Sequence, residues 1–399
     1  MGITKRLLRY VWVIGCLLMV SSVRATDGVN TIRVSFFSES VDLRYHANLV
    51  LPGRAPMNEP DLVRYFQNLN HTDYRIFLAD LRSAQSHYQL NDYLFYQLLH
   101  RSLEQIMPEA SPRKRSLTEW FLLTKAGFDT RLTWSGKKVY LYVHTKDDLF
   151  EVPMIEEGGK IYVNLTSIIE QQDSQGDLYM LDFQPNRGGQ SFGFELKQLP
   201  NLRPEFAESQ LRFMYAGEWQ TLSVRTDRTV REVMRSYPFV SEQAYVEAPL
   251  STTVAGSLLP QLQKLIDGKS DREALELIVA FTRSGFSYRE DKQHFGYSKP
   301  MIADEVFHYP YSDCEDRVAL FYALTRELLD LPMLVVAYPD HLTVAVALNE
   351  NIGPALVHGG RRYFFCDPTG PSNSDRIGNV PSGYEKQQFE VIGSYVGQR

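Results

Sequence analysis

A thiol, an imidazole and a carboxylate stand in the last third of this 399-residue chain in an order that suits acyl transfer: Cys314, His341 and Asp367. Cys314 lies in Tyr311-Ser312-Asp313-Cys314-Glu315-Asp316, directly before apolar residues at Val318, Leu320, Phe321, Leu324 and Leu328. That spacing predicts a helix with Cys314 at its start and Pro332 beyond its end. A helix N-terminus offers free N–H groups and partial positive charge, which favour a thiolate and can hold an oxyanion. His341 opens one extended run, and Asp367 follows another. If those strands are antiparallel neighbours, the imidazole and carboxylate lie side by side at one sheet end. A helix packed across the sheet then brings the thiol to the imidazole. The thiol gives its proton to His341, and Asp367 holds the ring in the useful tautomer. That chemistry requires no cofactor and no metal.

The elements that must position these groups are legible around them. Helical patterns run through 59–107, most clearly over Asn91 to Met107. Ser116 with Glu119 reads as a capping box after a turn at Pro112-Arg113-Lys114-Arg115. Strands are expected at Asn30 to Phe37, Lys138 to His144 and Lys160 to Leu165. Ser191 to Leu199 and Leu211 to Arg225 alternate with period two around an Ala216-Gly217 turn, which predicts a β-rich module over 181–254. Helices follow at Val254 to Ile266 and Asp271 to Arg283. After the Cys314 helix come strands at Met333 to Tyr338, His341 to Leu348 and Arg362 to Phe365, with Asn349 to Arg362 as a loop.

This last third resembles the transglutaminase-like superfamily, in Phe286-Ser287-Tyr288, Asp313-Cys314-Glu315-Asp316 running into Ala319-Leu320-Phe321-Tyr322-Ala323-Leu324, Leu331-Pro332-Met333, His341, and Phe365-Cys366-Asp367-Pro368-Thr369. The resemblance covers roughly 255–385. It implies a papain-related fold with the cysteine at the N-terminus of a central helix. It also implies that Cys314 is the nucleophile, His341 the general base and acid, and Asp367 the orienting carboxylate. It leaves the substrate open, because the superfamily includes cross-linking enzymes, peptidases, deglycosylating amidases and inactive structural members. The expected partner is a protein or peptide substrate. One departure is Asp313, where many members have glycine; an acid there raises the thiol pKa. His308 and His358 begin no apolar strand. Gln293 is a candidate second oxyanion donor beside the Cys314 N–H.

The fold class expected is α+β and multi-domain, with a transglutaminase-like domain over 255–399, the β-rich module over 181–254 and an N-terminal α/β region over 26–180. Leu122 to Phe128 with the two strands that follow echoes the Cys314 helix and its strands. Such a second copy, lacking a cysteine, would be catalytically dead; unrelated helix–strand–strand units are the alternative.

Residues 1–25 combine a basic start, an apolar run of about ten residues and Val23-Arg24-Ala25, the pattern of a cleaved export signal. The run is too short to span a bilayer; lipidation at Cys16 is the alternative. Without those residues the net charge falls from −6 to −10, a poor basis for binding nucleic acid phosphates. Cys314 and Cys366 then remain as a disulfide pair or as free thiols. Adjacent strand residues face opposite sides, so Cys366 should point away from a site that Asp367 enters. Five acids near Cys314 (Asp304, Glu305, Asp313, Glu315 and Asp316), with Asp340 beside His341, suggest a charged, wet rim and hence water as the acyl acceptor. Asn70 and Asn164 stand in glycosylation sequons.

Overall fold

A computed structural model describes residues 28–171, 177–370 and 376–398. The chain begins with a hairpin, β1 (Val29–Phe36) and β2 (Glu39–His46), followed by α1 (Glu59–Asn70), α2 (Tyr74–His87), α3 (Asp92–Ile106) and α4 (Pro112–Lys125). Then come β3 (Thr130–Ser135), β4 (Lys138–Thr145), β5 (Met154–Glu157), β6 (Lys160–Asn164), α5 (Leu165–Glu170) and β7 (Tyr179–Met180). A second hairpin, β8 (Phe206–Tyr215) and β9 (Glu218–Asp227), leads into α6 (Arg228–Arg235), α7 (Glu242–Glu247), α8 (Thr252–Ile266) and α9 (Asp271–Ser284). Short β10 (Ser287–Tyr288), α10 (Asp291–His294) and β11 (Tyr311–Ser312) precede α11 (Cys314–Leu329). The chain closes with β12 (Met333–Tyr338), β13 (His341–Ala347), β14 (Leu356–His358), β15 (Arg361–Phe365) and β16 (Glu390–Tyr395). The fold is α+β with several sheets.

The two larger sheets have the same plan. Their orders are β5-β6-β4-β3-β7 and β14-β15-β13-β12-β16, and every pairing within them is antiparallel. A two-residue turn joins the central pair in each, closing on Ser135–Lys138 and on Tyr338–His341. The hairpins repeat too: β1 lies on α3 and β2 on α2, while β8 lies on α9 and β9 on α8. The two halves therefore share one connectivity, hairpin, helix pair, helix and five-stranded sheet.

Burial explains the strands' composition. In β12 and β13, Met333, Val335, Leu342, Val344 and Val346 pack with α11, while Leu334, Val336, Tyr338 and Ala345 form a second cluster on the outer face. Strands covered on both faces read as continuous apolar runs rather than as alternation.

Three expectations are corrected. Residues 181–254 are not a separate β-rich module. Phe213, Leu222 and Val224 of the hairpin join the second core, while Phe192, Phe194, Leu196, Val230, Val233 and Tyr245 join the first. The stretch from Ser191 to Leu199 alternates in burial but forms no ladder, because side chains take its amides: Asp92 accepts from Gly193 N at 3.0 Å and Asp147 from Phe194 N. Second, α4 starts at Pro112 and not near Ser116. Ser111 is its N-cap, accepting from Lys114 N, and Pro112 fits the first turn because its missing N–H would have no helical partner there. Third, the expected loop Asn349 to Arg362 contains β14, which turns through Gly359 and Gly360, both at positive φ, into β15. Residues 1–25, and with them the export reading, lie outside the described residues. Asn164 is fully buried and caps α5 through Ser167 N, so it offers no surface for a glycan.

Candidate active site

Asp313 caps α11, and its own N–H donates to Asp316 Oδ2 at 3.1 Å, so a reciprocal capping box fixes the helix start. Cys314 is the first helical residue. Its helix is clamped by Arg317, 2% exposed, whose guanidinium donates to Ser312 Oγ at 3.1 Å, Thr369 O at 3.0 Å and Phe286 O at 2.8 Å. One side chain thus ties together β11, the segment before β10 and the turn after β15. Arg283 of α9 donates to Asp367 O.

His341 opens β13. Continuing the β13–β15 register from Ala345↔Phe365 sets Thr343 opposite Asp367, and Thr343 Oγ1 donates to Asp367 Oδ1 at 3.3 Å. His341 Nε2 lies 3.3 Å from the same oxygen, and Thr369 Oγ1 donates to it at 2.8 Å. Burial pushes the Asp367 carboxyl up, but the His341 and Thr369 contacts outweigh it and hold it below the usual carboxylate range. An ionised Asp367 assigns the proton to Nε2 and leaves Nδ1 as the ring's acceptor.

The structure brings His341 and Asp367 together directly. It brings Cys314 to the start of the same strand, where the Leu342 amide acts on the sulfur. The thiol's hydrogen bond, however, goes to Glu315 Oε2 at 2.9 Å and not to His341. Burial pushes the thiol up, and the Glu315 and Asp313 carboxylates add to that. The expectation about Asp313 identified the smaller of the two acids.

Comparison with known proteins gives no match: no family model, no curated protein and no solved structure. The site has to be read from its own groups.

Cys366 is a free thiol like Cys314 and is buried in the second core, donating to Phe364 O. Gln293 is exposed on α10. Tyr288 lies nearer the thiol: β10 pairs with β11 so that Tyr288, half exposed, stands opposite Ser312 and feels the Cys314 charge. Burial, then the nearby Cys314, pushes its phenol up, so the hydroxyl stays a donor. His308 is half-buried beside Asp227 and Arg231, and His358 is exposed on β14.

The charged rim is smaller than expected. Asp304, Glu305, Asp313 and Asp316 are buried and serve as structural acceptors, with Glu305 paired to Lys299 at 2.7 Å. Of the six acids, only Glu315 and Asp340 reach solvent. Asp291, which no motif singles out, joins Asp313 and Glu315 in a trio whose carboxylate oxygens lie within 4.8 Å of one another. Oxygen donors so spaced suit a hard cation. Burial and then mutual repulsion push Asp291 and Asp313 up to about 7, so the trio can equally share protons.

Among the described residues, the corresponding positions of the first half hold none of these three groups. The place of Cys314 falls to Pro112 and that of His341 to Lys138. Continuing the β4–β6 register gives that of Asp367 to Thr166.

Proposed function

We propose that this protein is an exported, thiol-dependent acyl-transfer enzyme of transglutaminase-like type, hydrolysing amide bonds in a protein or peptide. The observation that carries the reading is an ionised carboxylate holding His341 by Nε2 at the strand start that meets the first residue of α11. The thiol turns from Glu315 to His341 and gives its proton to Nδ1. The sulfur attacks the amide carbonyl, forming a C–S bond, and the electron pair moves onto oxygen. The Cys314 N–H faces that oxyanion. When the intermediate collapses, the C–N bond breaks and the imidazolium proton passes to the leaving amine. Water then attacks the thioester, giving its proton to His341. The C–S bond breaks, the carboxylic acid leaves and the thiol regains its proton. Asp367 stays ionised throughout and steadies the imidazolium.

Water as acceptor is favoured by the two acids that remain at the surface, Glu315 and Asp340. An amine acceptor would have to be held against water, through orientation effects worth about 10⁵ M or more. The test is to incubate the mature protein with a casein-like substrate and a tagged primary amine. Cys314-dependent new termini or released ammonia support hydrolysis. Cys314-dependent amine incorporation without cleavage makes the protein a cross-linker. Neither product ends the enzymatic reading.

The Glu315 hydrogen bond favours a second reading, a binding protein that keeps the fold with an inert thiol. Export is tested separately: N-terminal sequencing of the exported chain should begin near Thr26, and a lipid-modified Cys16 would replace secretion with anchoring.

A further inference from the structure

The segment between β15 and β16 carries a side chain that the sequence did not mark. Tyr384 stacks on the His341 ring, with centroids 4.9 Å apart and planes at 24°. Its hydroxyl donates to Asp340 Oδ1 at 3.1 Å. Asp340 belongs to the two-residue turn that delivers His341 to the start of β13. The same ring packs on Tyr338 at 4.8 Å, and Tyr338 is the strand partner of His341 and meets Phe389 at 5.7 Å. Tyr384 is therefore fixed at its hydroxyl by the turn, at one side by the outer-face cluster, and at the other by the imidazole.

We propose that Tyr384 is a positioning residue for His341, setting the plane of the imidazole so that Nε2 stays on Asp367 while Nδ1 remains turned to the thiol. The inference rests on the acyl-transfer reading. The His341–Asp367 contact is long for a charge-assisted bond, at 3.3 Å. Thr369 Oγ1, at 3.4 Å from Nε2, competes for the same hydrogen. Those two acceptors alone do not fix the ring about its Cβ–Cγ bond; a flat face stacked on it does. Stacking also covers the ring from water, which would otherwise compete for Nε2–H. When the ring becomes an imidazolium, the aromatic face is an attractive neighbour for the charge. Asp340 and Asp367 are the carboxylates on either side of this arrangement, and both stay where they are when only the ring of Tyr384 is changed.

The experiment compares the whole protein with Tyr384→Phe, which keeps the ring and loses the Asp340 tie, and with Tyr384→Leu and Tyr384→Met, which remove the aromatic face. Two quantities are read: the rate of Cys314 alkylation by iodoacetamide, and the NMR shifts of the His341 ring, assigned by their loss in His341→Ala. The expected result is a fall of about tenfold in alkylation for Leu and Met, and of no more than about threefold for Phe. The His341 ring protons should lie upfield in the wild type and the Phe variant and move downfield in Leu and Met. If Leu and Met alkylate at the wild-type rate, or Phe falls as far as they do, the positioning role is overturned and the acyl-transfer reading survives. If wild-type Cys314 is not alkylated at all, both are overturned. Two non-aromatic variants guard against one that fails to fold, and a circular dichroism melt identifies such a failure.

Discussion

Cys314 donates its thiol hydrogen to Glu315 Oε2, and after burial that contact is what most lowers the reactivity of the thiol at rest. Helix dipole and the Leu342 amide favour a thiolate; burial and two carboxylates oppose it. Burial and the two carboxylates outweigh the amide and hold the thiol pKa above its ordinary value; in the proposed mechanism His341 is the group that takes its proton. Glu315→Gln removes the charge and keeps the size of the side chain. It should raise the rate of Cys314 alkylation at fixed neutral pH by about threefold to tenfold. A slower rate would show that Glu315 activates the thiol. The sequence marked Cys314, His341 and Asp367 because each begins or follows an element whose pattern is strong. It did not mark Asp291 or Tyr384, because neither is fixed by a local pattern. Asp291 reaches the site through the β10–β11 pairing, 22 residues from Asp313, and Tyr384 through a segment folding back over the outer sheet face.

Elements with strong local punctuation were legible. Asn91 caps α3, Ser270 and Glu273 form a capping box on α9, and Asp330 at φ 51° with Pro332 beyond it ends α11. Where two signals compete, position decided: Ser111-Pro112 outranks Ser116 as a start because proline's ring angle already fits the first turn. Period two alone did not predict a ladder between Ser191 and Leu199, since side-chain acceptors took the amides. The β8–β9 turn was read correctly at Ala216-Gly217, and it carries a cost. Ala216 sits at φ 49°, a left-handed conformation that costs a residue with a Cβ about 1–2 kcal/mol. Ala216→Gly should therefore raise stability in chemical denaturation by about 0.5–1 kcal/mol, and no change or a loss would mean that the turn is not strained.

At the scale of the whole molecule, two halves share one connectivity, and among the described residues a thiol, an imidazole and a carboxylate gather at the helix start and first strand ends of the second half. The repeated plan was only a faint echo in sequence, because pairing order and hairpin–helix packing are set by contacts between distant segments rather than by shared residues. Buried acids outside the site also shape the whole chain's response to pH. Asp304, buried under the Ser251 amide, is pushed up to about 6 by desolvation, opposed by Ser251 and helped by Asp227 and Glu305. A carboxyl whose folded pKa lies above its unfolded value binds more protons when folded. Its contribution is therefore best at low pH and is lost as pH rises from about 4 through 6. Asp304→Asn should raise the melting midpoint at pH 8, by the equivalent of about 1–3 kcal/mol, and change it little at pH 4. A variant less stable at pH 8 would mean that the carboxylate is needed there.

The central claim is that Cys314 is a nucleophile served by His341. The measurement is iodoacetamide labelling of the protein at mildly acidic pH, with the modified residue located by mass spectrometry in the wild type, Cys314→Ala, Cys366→Ala, His341→Ala and Asp367→Asn. The account predicts one label, at Cys314, unaffected by Cys366→Ala, absent in Cys314→Ala, and slowed about tenfold or more in His341→Ala and to a smaller degree in Asp367→Asn. Labelling at Cys314 that is indifferent to both His341→Ala and Asp367→Asn would contradict it.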